Sequence, residues 1–218
     1  MYQNRKKQER YWDKEVWNFD SIYTHKKNKF LNYLDKRFRW EVYARFEYTM
    51  KQSQPVTGKS VLDIGCGTGK FALEYGRQKA KEVVGIDISV NMIKLCQQRA
   101  NNENLNEICT FLNSDPFEYR TNKIFNISIG MGLFDYIIEP LPVIERMKNL
   151  TSDRIIISFP KKGSLRAFLR KIRLGLRGCD VHFFYKKDIM ELIEKAGFFN
   201  YDIAEYGQLF CVTVNINN

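Results

Sequence analysis

The chain has 218 residues, 44% of them hydrophobic, and its 35 Lys and Arg outnumber 25 Asp and Glu for a net charge of +10. That length suits one sizeable domain, or one with additions, able to bury a full core, and no apolar run approaches the roughly 20 residues of a membrane span. The charged segment Met1 to Arg10 leads into aromatic and polar residues, so a signal peptide is not expected and the pattern predicts a cytoplasmic protein.

Five scattered cysteines, Cys66, Cys96, Cys109, Cys179 and Cys211, form no Cys-x-x-Cys pair. They argue against a disulfide framework or a zinc site and read as reduced packing residues; no metal site is expected. The positive charge is local. Residues 1 to 60 carry 14 Lys and Arg against 7 Asp and Glu, and residues 161 to 177 carry 7 against none. These two basic segments could meet an acidic substrate, a nucleic acid or an anionic membrane surface, or be a solvated face.

Residues 2 to 52 are basic and aromatic, with Trp12, Trp17, Phe19, Tyr23, Phe30, Tyr33, Phe38, Trp40, Tyr43 and Phe46 recurring at helical spacing. The stripe predicts two or three amphipathic helices packed as an N-terminal cap over 1–54, ahead of a main domain over 55–218. Pro55, Thr57 and Gly58 break the chain before the first strand. Gly58-Lys59-Ser60 resembles the end of a P-loop, but the pattern's first glycine would fall at Ser53 and the segment precedes a strand. It reads as a turn.

Val61 to Ile64 then reads as a buried strand turning through Gly65-Cys66-Gly67-Thr68-Gly69 into a helix with Phe71, Ala72 and Tyr75 on its apolar face. Alternate glycines bring bare amides close to a nucleotide-like ligand. Glu82 to Asp87 is a second strand ending in a carboxylate, and Ser89 caps a helix through Met92, Ile93, Cys96 and Ala100. Ile108 to Leu112 is a third strand, closed by Asn113-Ser114-Asp115-Pro116. Phe125 to Met131 is a fourth and Arg154 to Phe159 a fifth, with a helix from Leu141 to Leu150 between them. Strands alternating with helices predict a doubly wound α/β sheet with right-handed crossovers.

The last third carries a basic helical insertion at 161–185. Leu165, Phe168, Leu169 and Ile172 sit at helical spacing, with Arg166, Arg170, Lys171 and Arg173 projecting around them. A helix from Asp188 to Ala196 follows, then strands Tyr201 to Tyr206 and Leu209 to Ile216. Their short connection permits only an antiparallel pair. One reversed strand near the sheet edge is therefore expected.

In such a sheet, ligands bind beyond the carboxyl ends of the strands, where Asp63, Asp87 and Asp115 fall in order. Asp87 lies 22 residues beyond Gly65, where a dinucleotide fold keeps its ribose-binding acid. The nicotinamide fingerprint fails, because Lys70 stands where a third spaced glycine is needed and Asp63 would repel a pyrophosphate. A ligand with a cationic amino-acid tail fits better.

Asp63-Ile64-Gly65-Cys66-Gly67-Thr68-Gly69, then Asp87 and Asp115, together resemble the class I S-adenosylmethionine-dependent methyltransferases. The resemblance covers about residues 55 to 160, and Ala196-Gly197-Phe198 before two final strands also matches. It implies a Rossmann-like seven-stranded sheet, mostly parallel with the last strand antiparallel. The cofactor it implies is S-adenosylmethionine. Gly65, Cys66 and Gly67 would lie against the methionine, with Asp63 organising its ammonium group. Asp87 would take the ribose hydroxyls, with Ile88 and Met92 along the adenine, Asp115 at the adenine amino group, Pro116 or Phe117 flanking the ring, and Ser114 also at the cofactor. Met131 would face the sulfonium region, and Tyr23 would reach the cofactor from the cap.

A sulfonium methyl is already activated, so the protein need only align an acceptor and help remove a proton. Asp135 and Tyr136, just after the fourth strand, and His182 are the candidates; His25 is a weaker one. Gly130-Met131-Gly132-Leu133 stands where adenine, cytosine and glutamine methyltransferases carry Asn-Pro-Pro-Tyr. This resembles small-molecule members instead, with an anionic or amphiphilic acceptor expected at oxygen or nitrogen. An RNA-binding methyltransferase and a non-catalytic cofactor-binding module are the alternatives, nucleic acid ranking below a small molecule. The acceptor and the oligomeric state are not readable from the residues.

Overall fold

A computed structural model describes residues 2–20, 29–177 and 179–216, with side chains at all of these except 2–5, 17–20, 29–39, 165, 166 and 168. Seven strands form one sheet in the order β3-β2-β1-β4-β5-β7-β6. In chain order the elements are α1 (Tyr2–Asp20), α2 (Lys29–Gln52), β1 (Ser60–Ile64), α3 (Lys70–Arg77), β2 (Glu82–Asp87), α4 (Val90–Asn102), β3 (Cys109–Asn113) and β4 (Phe125–Gly130). There follow α5 (Pro140–Asn149), β5 (Thr151–Pro160), α6 (Leu165–Leu176), α7 (Lys186–Lys195), β6 (Tyr201–Tyr206) and β7 (Leu209–Asn215).

Strands β1 to β5 pair in parallel, whereas β7 runs antiparallel to both β5 and β6. The single reversed strand follows from the two-residue link at Gly207-Gln208, as the sequence predicts. Because β1 lies between β2 and β4, the winding changes direction at β1, and a crevice opens there beyond the strand ends.

The central strands are buried on both faces, which is why they read as continuous apolar runs, whereas the edge strands β3 and β6 are partly exposed. One face packs Leu62, Ile64, Ile86, Ile155 and Ile157 against α5 and α7 residues such as Ile144, Met147, Ile189 and Ile193. The other packs Val61, Val83, Ile127, Ile129 and Ile156 against Phe71, Ala72 and Tyr75 of α3 and Ile93 and Cys96 of α4. All five cysteines are buried free thiols.

Polar bonds tie the two N-terminal helices to the main domain. Tyr48 Oη lies 2.8 Å from Thr213 Oγ1 on β7, and Ser53 Oγ lies 2.7 Å from Tyr75 Oη on α3. Asp13 of α1 accepts hydrogen bonds from Ser89 Oγ at 2.5 Å and Asn91 N at 3.2 Å, at the start of α4. The aromatic stripe is only partly covered, since Trp40 remains 44% exposed. Among the described residues, no helix is long and apolar enough to cross a membrane.

Candidate functional site

The first strand delivers the loop as the sequence pattern requires. Asp63 pairs in register with Gly85 and Ile64 with Ile86, so both carboxylate-bearing strands end at the same level. The amides of Gly65 and Cys66 both donate to Ile86 O, at 2.8 and 3.0 Å, which folds the loop back over β2. Gly65 has φ +71, a conformation that favours glycine, and a Cβ there would come within 2.9 Å of Leu133 Cδ1, so a larger residue would also displace that side chain.

Asp87 is held by main-chain donors. Its Oδ2 accepts from Gly67 N and its Oδ1 from Ser89 N, each at 2.9 Å. Asn113 Nδ2 donates to Asp87 O and Ile88 O at 3.0 and 2.8 Å, fixing the strand end. Burial raises the Asp87 carboxyl above its ordinary range, while the Ser89 and Gly67 amides oppose the shift. Asp115 Oδ1 accepts from Phe117 N at 2.7 Å, which shapes the turn after β3.

Asp63 is 1% exposed, and its Oδ2 has no hydrogen-bond partner. Burial, and secondarily the neighbouring Asp87, pushes its carboxyl up to about 8, against a hydrogen bond from the Ala72 amide. The folded value exceeds the unfolded one, so the native state holds the extra proton. Its stability contribution is full below about pH 4 and is lost as pH rises through about 8. Thermal unfolding of the ligand-free protein should therefore occur at lower temperature at about pH 8 than at about pH 5, and Asp63→Asn should flatten that slope. An unchanged slope in the variant would remove Asp63 as its source.

A cavity of about 1160 Å³ runs from this loop to α6. Of the residues expected at the cofactor, Gly65, Gly67, Asp87, Ile88, Met92, Asp115, Pro116 and Met131 line it together. Asp63, Cys66 and Ser114 do not: Asp63 and Cys66 are buried, and Ser114 serves by its amide, which donates to Asp87 O at 3.0 Å. Tyr23 and His25 lie outside the described residues.

Asp135 and Tyr136 both line the cavity. Asp135 is 4% exposed; its Oδ2 lies 2.6 Å from Arg170 Nη2, and its Oδ1 is buried without a hydrogen-bond partner. The same guanidinium nitrogen donates to Tyr136 Oη at 3.1 Å. Burial raises the Tyr136 hydroxyl despite Arg170, so the phenol stays protonated near neutrality. His182 does not line the cavity. Its amide donates to Asp135 O at 2.8 Å, and burial lowers its imidazole, which is therefore neutral near pH 7.

Several lining residues escaped the sequence reading. Gln8 Nε2 donates to Tyr136 O at 2.7 Å, and the Trp12 ring meets the Tyr136 ring edge-on at 4.9 Å, so α1 forms part of the wall. Arg45 of α2 reaches over Gly132, where a Cβ would stand 2.7 Å from its Nη1. The aromatic stripe of α1 reads more simply as core, and only the fold shows that Trp12 faces a cavity. Arg170 is the main reversal of orientation: its spacing on α6 groups it with solvated cations, but it turns inward to Asp135.

Together the features fit an adenosine bearing an amino-acid tail. The glycine cradle admits close approach, Asp87 presents two fixed acceptor oxygens, and Asp63 stands behind the loop with one buried oxygen unpartnered. Residues 55–197 match the family model of a methyltransferase domain. The chain is 29% identical over 125 residues to a demethylmenaquinone methyltransferase of Porphyromonas gingivalis, covering 52% of this chain and 51% of that one. It is 25% identical over 184 residues to the enzyme of that name in Oceanobacillus iheyensis, covering 72% and 77%. The chain thus spans about half the length of the first of these relatives. Its fold resembles a crystal structure of magnesium protoporphyrin IX methyltransferase from Synechocystis with bound SAH, at TM-score 0.78, 19% identity, and 98% and 100% coverage.

Proposed function

The chain belongs to the class I S-adenosylmethionine-dependent methyltransferases, and from that premise we propose that it methylates an oxygen or nitrogen of a small amphiphilic molecule bound beneath α1, α2 and α6. The cavity carries this reading. At about 1160 Å³ it exceeds the usual span of about 300–1,000 Å³ for a single ligand, and it extends from the glycine loop past Met131 to Asp135 and Arg170. That leaves room for cofactor and acceptor side by side. The two relatives named for demethylmenaquinone support a small-molecule acceptor.

S-adenosylmethionine supplies a methyl group already activated by its sulfonium. The chain's own residues then bind, orient and manage a proton. Asp87 takes the ribose hydroxyls on the lone pairs left by Gly67 N and Ser89 N, Asp115 and Pro116 border the adenine, and Gly65, Gly67 and Met131 border the methionine. Asp63, which does not line the cavity, would act on the ammonium group through water from behind the loop. On the acceptor side, Asp135 Oδ1 takes the proton, while Arg170 holds Oδ2 and accepts no proton itself. Tyr136, with its oxygen already receiving the Arg170 hydrogen bond, is left to donate its own proton to the acceptor. His182 positions Asp135 through the main chain. The apolar contacts of Leu133, Ile137, Phe183 and Leu209 suit a hydrophobic acceptor body, and Arg45 and Arg173 suit an acidic group on it.

Incubation with methyl-labelled S-adenosylmethionine and a cell extract tests this directly. The label should enter a small, solvent-extractable fraction. Label confined to protein or RNA would reject the proposed acceptor class.

A further inference from the structure

Helix α6 presents two unlike sides. Arg170 turns inward to Asp135, and Leu174 is buried beside Cys179 and Val181. On the other side Ile172 and Leu176 are 46% and 84% exposed, and Leu169, 57% exposed, stands at the edge where this stripe meets the large cavity. At about 100° per residue these three fall within roughly one-sixth of the helix circumference. A continuous aliphatic stripe left exposed on a helix whose other apolar side is already buried is a contact surface for something.

Cations surround it. Lys171, Arg173 and Arg177 are exposed on the same helix. A second cleft, of about 610 Å³, lies between the end of α6 and α1 and is lined by Lys6, Lys7, Arg10, Tyr11, Lys14, Glu15 and Arg177. Lys6, Arg10 and Lys14 recur every four residues, so one side of α1 is basic along two turns. Lys7 adds a solvent-exposed contact of 3.9 Å to Asp180.

We propose that this face, the outer stripe of α6 with the basic side of α1, docks on an anionic phospholipid bilayer. The chemistry selects the occupant. Aliphatic side chains enter the boundary between headgroups and acyl chains while flanking lysines and arginines remain among the phosphates. A nucleic acid or a soluble polyanion would engage the cations and leave Leu169, Ile172 and Leu176 in water. Tyr11, Glu15 and Arg177 belong to the linings of both the basic cleft and the large cavity, so the docked face adjoins the cavity. Docking itself does not depend on methyl transfer; only the corollary, that a lipid-dissolved acceptor enters from the bilayer, rests on the proposed function.

Flotation of the full chain with vesicles tests the proposal. Binding is expected to vesicles of phosphatidylcholine with about one-third phosphatidylglycerol, and not to phosphatidylcholine alone. Ile172→Asn with Leu176→Asn should weaken that binding at least about tenfold, and Arg10→Gln with Lys14→Gln should do so by about fivefold per charge removed. Calorimetry with S-adenosylhomocysteine reports folding of each variant separately: lost flotation with intact cofactor binding supports docking. Absent cofactor binding in the wild-type chain would reject the methyltransferase site while leaving flotation to decide the surface. Wild-type protein that ignores anionic vesicles, or a stripe variant that floats unchanged, overturns the proposal. So does equal, salt-sensitive binding of wild-type and stripe variant to an RNA oligonucleotide with no vesicle binding.

Discussion

Replacing Asp87 by alanine should weaken S-adenosylmethionine binding by two orders of magnitude or more while leaving the ligand-free protein folded. The carboxylate is fixed at the end of β2 by the Gly67 and Ser89 amides, each at 2.9 Å, so it reaches a ligand without reorganising. Hydrogen bonds to a charged acceptor contribute about 1.5–3 kcal/mol each, and two ribose hydroxyls therefore account for roughly 3 kcal/mol or more, which is over a hundredfold in affinity. The opposing effect on the free protein is small. Alanine strands two amides, but it also removes a carboxylate disfavoured by burial and lifts the repulsion that helps raise Asp63. Calorimetry against S-adenosylmethionine and a thermal melt of the same sample separate the two. Binding within about threefold of wild type would mean that the ribose is held elsewhere.

Eight of the residues expected at the cofactor line the cavity, and they were legible in the sequence because local structure fixes them. A strand end, a glycine that must take positive φ, and a carboxylate closing the next strand are short-range features, and parallel pairing in register then brings them level. The reversal of β7 was legible for the same reason, since the Gly207-Gln208 link is too short for a crossover. The acceptor half was legible only at Asp135 and Tyr136. It is assembled from α1, α2 and α6, whose cavity-facing residues Gln8, Trp12, Arg45 and Arg170 lie far from Asp135 or Tyr136 in the chain. Helical periodicity states that two sides differ and leaves open which one turns inward. On α6 Leu174 and Ala167 turn inward as an apolar side should, but Arg170 turns inward with them while Ile172 and Leu176 stay exposed. The partner of Arg170, Asp135, lies 35 residues away in the chain, and nothing within residues 165–176 records its presence.

That pairing also sets the second large effect. Asp135 should prove necessary for turnover and costly to leave alone. Arg170→Met removes the partner of a carboxylate that is 4% exposed, and breaking a buried pair from one side costs about 3–5 kcal/mol because the remaining charge has no compensation. For a domain of this size the melting temperature should fall by roughly ten degrees. Asp135→Asn carries less of that cost, since no carboxylate charge is left behind in the wall and Arg170 is 29% exposed at its side chain, close enough to water to be partly solvated. Combining the two substitutions should return most of the stability lost in Arg170→Met, so the coupling in a double-mutant cycle should be large and favourable to the pair. Activity should behave differently. A positioned proton acceptor contributes typically 10²–10⁴-fold, so Asp135→Asn should lower kcat by at least about a hundredfold with the cofactor Kd unchanged, and the double variant should stay inactive although it is stable. Measured on the acceptor recovered by label transfer, a recovery of turnover in step with stability would reduce Asp135 to a structural anchor for α6. Loss of turnover in a stable double variant would place the proton on its free oxygen.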